Sequence, residues 1–253
     1  MITDNSTLPL LLKQLQLKTI ANQWQVLTEQ ACTNGWTYPQ FLTRLCEQEC
    51  AYRAQQRTER LLKEAHLPAG KTLSSFSFES APQIKAPQIQ TLAQQTQWVD
   101  QAENLLFFGP SGVGKTHLAA AIAHGLAALG KPVRFFNAAA LVQYLQTAKK
   151  ELLLEKALFK LDRYRLLIID DMGYVKKSEQ ETSVLFQLIV HRYETGSILI
   201  TSNQPFSQWD NIFADPIMAV AASDRLVHHS TIIEITGESY RKQSSILRRD
   251  TMV

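Results

Sequence analysis

The chain has 253 residues, 45% of them hydrophobic, and 26 Lys and Arg stand against 23 Asp and Glu for a formal net charge of +3. That length can bury one large core, or one core with a smaller appendage, and the near balance of charge excludes a chain that is polybasic throughout, so any nucleic-acid surface has to come from local patterning. No apolar run reaches the about 18 residues that cross a bilayer, and the start MITDNSTLPLL lacks the layout of a secretory signal, which sets the expectation of a cytoplasmic protein.

Leu8 to His66 is rich in Leu, Gln, Arg and Glu, with apolar residues at helical spacing and breakers at Gly35 and Pro39, which predicts a small all-α N-terminal domain over residues 1–66. Its three cysteines, Cys32, Cys46 and Cys50, make an odd count without further ligands at zinc spacing, and are expected to be reduced thiols packed among the helices. Residues 67–90 bring Pro68, Pro82 and Pro87 together with Ser and Gly and read as a linker. Over residues 91–253, apolar β-like runs at 105–108, 132–136, 166–169, 197–201 and 231–235 alternate with helical segments. Such alternation predicts an α/β domain with a parallel sheet covered on both faces.

The stretch Gly109, Pro110, Ser111, Gly112, Val113, Gly114, Lys115, Thr116, His117 follows the first of these runs and opens a helix, and it matches G-x4-G-K-[ST]. Glycines at these places let backbone amides cradle phosphate oxygens, Lys115 reaches the β and γ phosphates, and the Thr116 hydroxyl suits Mg²⁺. These nine residues are therefore assigned to ATP, with His117 read as a helix-surface or packing residue rather than a base. The third run, LLIIDD, ends in two carboxylates at the end of a strand where open α/β sheets present ligands. Asp170 is expected to hold Mg²⁺, and Asp171 to orient or deprotonate the attacking water, in a place where many such ATPases carry the longer Glu. Asn203 closes the fourth run and is expected to help position water if that strand lies beside the P-loop strand. Arg225, in AASDRLVHH before the last run, stands where oligomeric ATPases offer an arginine to a neighbour's γ-phosphate.

At about 100° per residue, Lys149, Lys156, Lys160 and Arg163 fall on one stripe of a single helix opposite Leu154, Leu158 and Leu161. The stripe fits either a solvated face or sequence-neutral contact with phosphates. Lys176 and Lys177 follow the acidic pair. In the helical region Arg53, Arg57 and Arg60 share a face with Glu49 and Glu64, a patch that suits DNA or self-association.

Taken in order, the P-loop, LLIIDDMGY, ITSNQPFSQWDNIFAD and AASDRLVHH resemble the IstB-type transposition helper ATPases of bacterial insertion sequences. Phe206, Trp209, Ile212, Phe213 and Asp215 carry that resemblance more specifically than the P-loop, and it extends from about Tyr38 to Gln243. It implies an AAA+ P-loop fold with a five-stranded parallel sheet in the order 5-1-4-3-2, akin to DnaC-type helicase loaders. It also implies that the element between the second and third strands faces double-stranded DNA, that ATP and Mg²⁺ are bound, and that partners are a homo-oligomer and a cognate transposase. Residues 236–253 are too few for a separate lid domain, so a reduced or absent lid is expected, with Arg241 a weak sensor candidate. The alternative within the fold is a replicative helicase loader. A metabolic kinase would need an arginine-rich lid after the third strand, and a GTP switch an Asn-Lys-x-Asp motif; the sequence contains neither.

Overall fold

The computed structural model describes residues 7–173, 178–237 and 239–240. The chain divides into two compact units, Met1–Arg60 and Leu61–Val253. Among the described residues no helix is long and apolar enough to cross a membrane.

In the first unit α1 (Leu8–Gln14) has a proline in its first turn, where a missing N–H costs nothing. The next helix, α2 (Lys18–Asn34), stops at Gly35, whose φ of 62° is the left-handed conformation that glycine adopts freely. The third helix, α3 (Tyr38–Ala65), contributes its residues up to Arg60 to this unit. Buried Leu12, Ile20, Leu27 and Leu45, with Trp24, Trp36 and Phe41 against them, form its core. Glu49 is 4% exposed and serves as a remote cap: its carboxylate accepts from the amides of Thr19 (2.8 Å) and Ile20 (3.3 Å) at the start of α2 and from Arg53 Nε (2.8 Å). Burial pushes this carboxyl up, but Arg53 and the two amides outweigh it and leave it below its ordinary value. All three cysteines are free and exposed, not packed between helices.

The second unit is built on five parallel strands: β1 (Asn104–Phe108), β2 (Val133–Asn137), β3 (Leu166–Asp170), β4 (Ser197–Ser202) and β5 (Ser230–Glu234). They lie in the order β2-β3-β4-β1-β5, which is the expected order read from the other edge. β1 is paired with β4 and β5, Leu106 opposite Ile200 and Ile232, and every residue of β1, β3 and β4 is buried, as strands covered on both faces require. On one face α4 (Ala86–Gln94) and α6 (Lys115–Ala128) pack on Leu105, Phe107, Ile168 and Leu199. The other face carries α7 (Ala138–Lys150), α8 (Leu154–Leu161), α9 (Glu179–Arg192) and α10 (Pro216–Val227). The short α5 (Gln97–Asp100) precedes β1. Each buried Leu or Ile contributes about 1.5–3 kcal/mol relative to exposure, so the two apolar layers hold the sheet.

The fold departs from two expectations. The segment 67–90 is no spacer: Ala81, Ile84 and Ile89 are buried in the same core as the P-loop strand, and Leu61 and Ala65 of α3 join them. Pro87 misled because it sits in the first turn of α4, where proline begins a helix rather than breaking a chain. Nor do Lys149, Lys156, Lys160 and Arg163 lie on one helix. The chain turns between α7 and α8, with Leu152 at φ 58° and the Leu153 amide closing on the Ala148 carbonyl at 2.7 Å. No Gly or Pro marks that break; it frees Ala157, Leu158 and Leu161 to pack into the core.

Trp209, Ile212 and Phe213 are buried in the core beside α10, which Asp215 caps by accepting from the Ile217 amide at 2.9 Å. Arg192, 2% exposed at the end of α9, donates to the carbonyls of Leu161, Tyr164, Arg165 and Ser197, and burial lowers its pKa to about 10.

Candidate nucleotide site

The P-loop leaves β1 at Phe108 and ends as α6 begins, between two other parts of the chain. A side chain at Gly109 (φ 144°) would overlap the Ile235 carbonyl just past β5, whose amide in turn donates to the Phe108 carbonyl at 2.7 Å. At Gly114 (φ 100°) a Cβ would stand 2.7 Å from the Phe76 ring. Tyr240 N donates to the Gly112 carbonyl at 3.1 Å. His117 packs edge-on against Phe76, with Nε2 2.9 Å from the Thr72 carbonyl and 3.2 Å from Ser75 Oγ. A cleft is lined by the P-loop from Ser111 to His117 together with Lys71, Phe76, Gln83, Asp171 and Tyr240.

Lys115 is 5% exposed and donates to the carbonyls of Gly109 and Pro110, both at 2.8 Å. Its ammonium is thus held within the loop, where the α6 N-terminus adds positive potential for a phosphate. Asp170 is buried at the end of β3. Thr201 of β4 donates to its Oδ1 at 2.6 Å. Burial raises its pKa above the ordinary carboxylate range, against the lowering effect of the Thr201 and Thr116 hydroxyls. Thr116 and Asp170 therefore meet as two hard oxygen donors beside the loop, a set that fits Mg²⁺.

Asp171 turns into the cleft with φ 62°, and its amide donates to Thr201 Oγ1 at 3.0 Å. Asp visits this left-handed region more readily than Glu, which accounts for the shorter acid in this position. Asn203 is half-buried past β4, its Oδ1 accepting no hydrogen bond among the described residues, against Gly173 two residues beyond Asp171.

Arg225 stands elsewhere. It lies in the last turn of α10, with NH1 on the Ala221 carbonyl at 2.9 Å and its guanidinium 5.7 Å from the Phe186 ring centre. The next residue, Leu226, accepts from the side chain of Asn104, the first residue of β1. Since the P-loop follows the last residue of β1, Arg225 and its own P-loop lie at opposite ends of the strands.

Lys149, Lys156, Lys160 and Arg163 do not form one stripe. Lys156 and Lys160 are exposed along a groove between α7 and α8 that also exposes Tyr144. Lys149 instead reaches Ser183 of α9 at 3.2 Å, and Arg163 lies beyond α8, stacked on Tyr164 at 4.6 Å from the ring centre. The single stripe fails because the helix it assumed is broken at Leu152. In the first unit Arg57 and Arg60 line an exposed groove with Lys18 and Tyr52, while Arg53 is tied to Glu49 and to the Gln16 carbonyl. Lys176, Lys177 and Arg241 lie outside the described residues. Phe76, Gln83, Thr201 and Tyr240 belong to no motif of their own; the signal for Phe76 is the stretch LSSFSF, aromatic residues within a segment that otherwise reads as a linker.

A sequence profile of the family described as IstB-like ATP binding protein matches residues 10–247. An insertion sequence ATP-binding protein of Sinorhizobium fredii is 49% identical over 243 residues, covering 96% of this chain and 82% of that one. The insertion sequence IS5376 ATP-binding protein of Geobacillus stearothermophilus is 38% identical over 237 residues, 94% of each. Among solved structures, DnaI is similar with TM-score 0.54 and 21% identity over 71% of this chain and 98% of that one, a likeness of fold.

Proposed function

Because the chain belongs to the family of IstB-like ATP binding proteins and is a P-loop ATPase, we propose that it assembles as a homo-oligomer on double-stranded DNA and there recruits or activates the transposase of an insertion sequence. The observation that carries this reading is the position of Arg225 at the far end of the strands from its own P-loop. An arginine for the transferring phosphoryl group, beyond the cleft's own Lys115, then has to come from a neighbouring subunit.

In this reading the P-loop amides and Lys115 hold the β and γ phosphates of ATP. Thr116 and Asp170 are the residues that would hold Mg²⁺, which neutralises phosphate charge when bound. Asp171 orients the attacking water and takes its proton, Asn203 steadies that water, and Arg225 of the adjoining subunit meets the charge that develops on the γ-phosphate. Lys156, Lys160, Arg57 and Arg60 contact DNA phosphates without reading sequence; Lys149, Arg53 and Arg163 add charge from their tethered positions.

The test is complementation. Arg225→Ala binds ATP yet hydrolyses it poorly, and Lys115→Ala binds none; mixed on DNA, the two recover turnover, because the second protein lends its arginine. Turnover strictly proportional to protein, with no recovery on mixing, would overturn the shared site. Capture of the cognate transposase, rather than of a hexameric helicase, separates transposition helper from helicase loader.

A further inference from the structure

Away from the nucleotide, the turn after α9 and the turn before β5 bring three metal-ligating side chains together. One ligand atom each of Glu194, His228 and His229 lies within 4.8 Å of the other two, and all three residues are exposed. Among the described residues no other His, Cys, Asp and Glu side chains gather in this way.

Buried contacts hold both turns in place. Arg192 ties the end of α9 to four carbonyls, and the amides of Thr195 and Gly196 return to its own carbonyl at 3.1 Å. Between them Glu194 is kept at φ 58°, with its carboxylate 3.9 Å from His229 Nε2. On the other side the His229 carbonyl accepts from the Asn104 amide at 2.7 Å, and the His228 amide donates to the Asp224 carbonyl at 3.0 Å. The two imidazole rings are 4.1 Å apart, and the Tyr193 hydroxyl shares a 2.9 Å hydrogen bond with His228 Nδ1.

We propose that Glu194, His228 and His229 form a site for one divalent transition-metal ion of the zinc class, with water completing its coordination. Two imidazoles and a carboxylate are a ligand set for zinc and its neighbours, whereas Mg²⁺ and Ca²⁺ prefer oxygen alone. Closing to metal–ligand distances of about 2 Å needs only small rotations of exposed side chains, because the backbone is already fixed. The Tyr193 hydroxyl on His228 is the kind of outer contact that orients a metal-binding histidine through its other nitrogen. A bound ion ties the end of α10 to the α9–β4 turn. On the reading of Arg225 given above, it thereby steadies the arginine offered to a neighbour; the site itself does not depend on that reading.

Isothermal titration of the full-length protein with Zn²⁺, compared with a His228→Ala, His229→Ala double variant, tests the site. The exposed cysteines take zinc equally in both proteins, so the difference isolates the cluster. The wild type binds one ion more, excess Mg²⁺ does not displace it, and Glu194→Gln weakens it about tenfold or more. Hydrogen exchange of amides 226–229 slows with zinc in the wild type only. Equal numbers of ions in the two proteins, displacement by Mg²⁺, or exchange at 226–229 indifferent to zinc would each overturn the proposal, whatever the protein's activity on ATP or DNA.

Discussion

The Thr201 hydroxyl donates to the Asp170 carboxylate at 2.6 Å while accepting from the Asp171 amide at 3.0 Å, so one side chain of β4 sets both acids at the end of β3. A hydrogen bond to a charged group contributes about 1.5–3 kcal/mol. Thr201→Val keeps the volume and removes both bonds, and turnover should fall about 10- to 100-fold, while Thr201→Ser keeps most of the activity. Steady-state hydrolysis, with melting temperature as the control for folding, measures this.

Gly114→Ala combines two penalties, a backbone at φ 100° and a methyl group 2.7 Å from the Phe76 ring. The backbone strain alone is about 1–3 kcal/mol, so nucleotide affinity should drop tenfold or more. Adding Phe76→Ala removes the clash but not the strain, and affinity should return only in part. Fluorescence titration with a labelled nucleotide distinguishes the two contributions.

Salt dependence separates the lysines of α8 from those tied elsewhere. Replacing Lys156 and Lys160 with Ala should weaken binding to every duplex alike and flatten the log–log salt slope by about 0.9 for each phosphate that the protein no longer neutralises. Lys149→Ala, whose ammonium already meets Ser183, should change the slope less. Filter binding across a salt series gives the slopes.

Arg192→Met removes the donors to four buried carbonyls and should cost about 2–4 kcal/mol of stability. The P-loop is remote from these carbonyls, so nucleotide affinity of the folded protein should hold. Urea unfolding reports the first effect and nucleotide titration the second.

Acid should loosen the first unit through Glu49. Its carboxyl is held below the ordinary value, so the stability it contributes is complete above the pKa of the unfolded chain and disappears as pH falls through the lowered folded value. Glu49→Gln should be less stable at neutral pH and less sensitive to acid. Amide exchange at Thr19 and Ile20 across an acid series reads this out.

Strand positions could be read closely from the sequence, because a strand buried on both faces has to be a short apolar run, and Leu105 to Phe108 or Leu166 to Ile169 has no other use. The P-loop and the acidic pair were equally visible, since their chemistry constrains consecutive residues. Thr201 was not: a threonine inside a strand looks like any β-former, and only the pairing of β3 with β4 brings it to Asp170. Phe76 escaped notice for a similar reason, its role depending on a segment that proline and serine made resemble a spacer. The break at Leu152 left no trace because a leucine there adopts the turn that glycine would advertise.

Asn104 begins β1, which lies between β4 and β5, and its side chain accepts from the Ile198 amide and donates to the Leu226 carbonyl, partners 94 and 122 residues further along the chain. β1 is therefore synthesised long before either neighbour that will cover its edges. Closing such long loops is slow compared with local helix formation, and until β4 and β5 arrive the run Leu105 to Phe108 is an apolar strand with two open edges, the kind of segment that pairs with the wrong chain. The nucleotide loop that follows Phe108 thus has its supporting strand completed only when the last third of the chain is available, so truncation before β4 should leave an aggregation-prone fragment rather than a nucleotide-binding one.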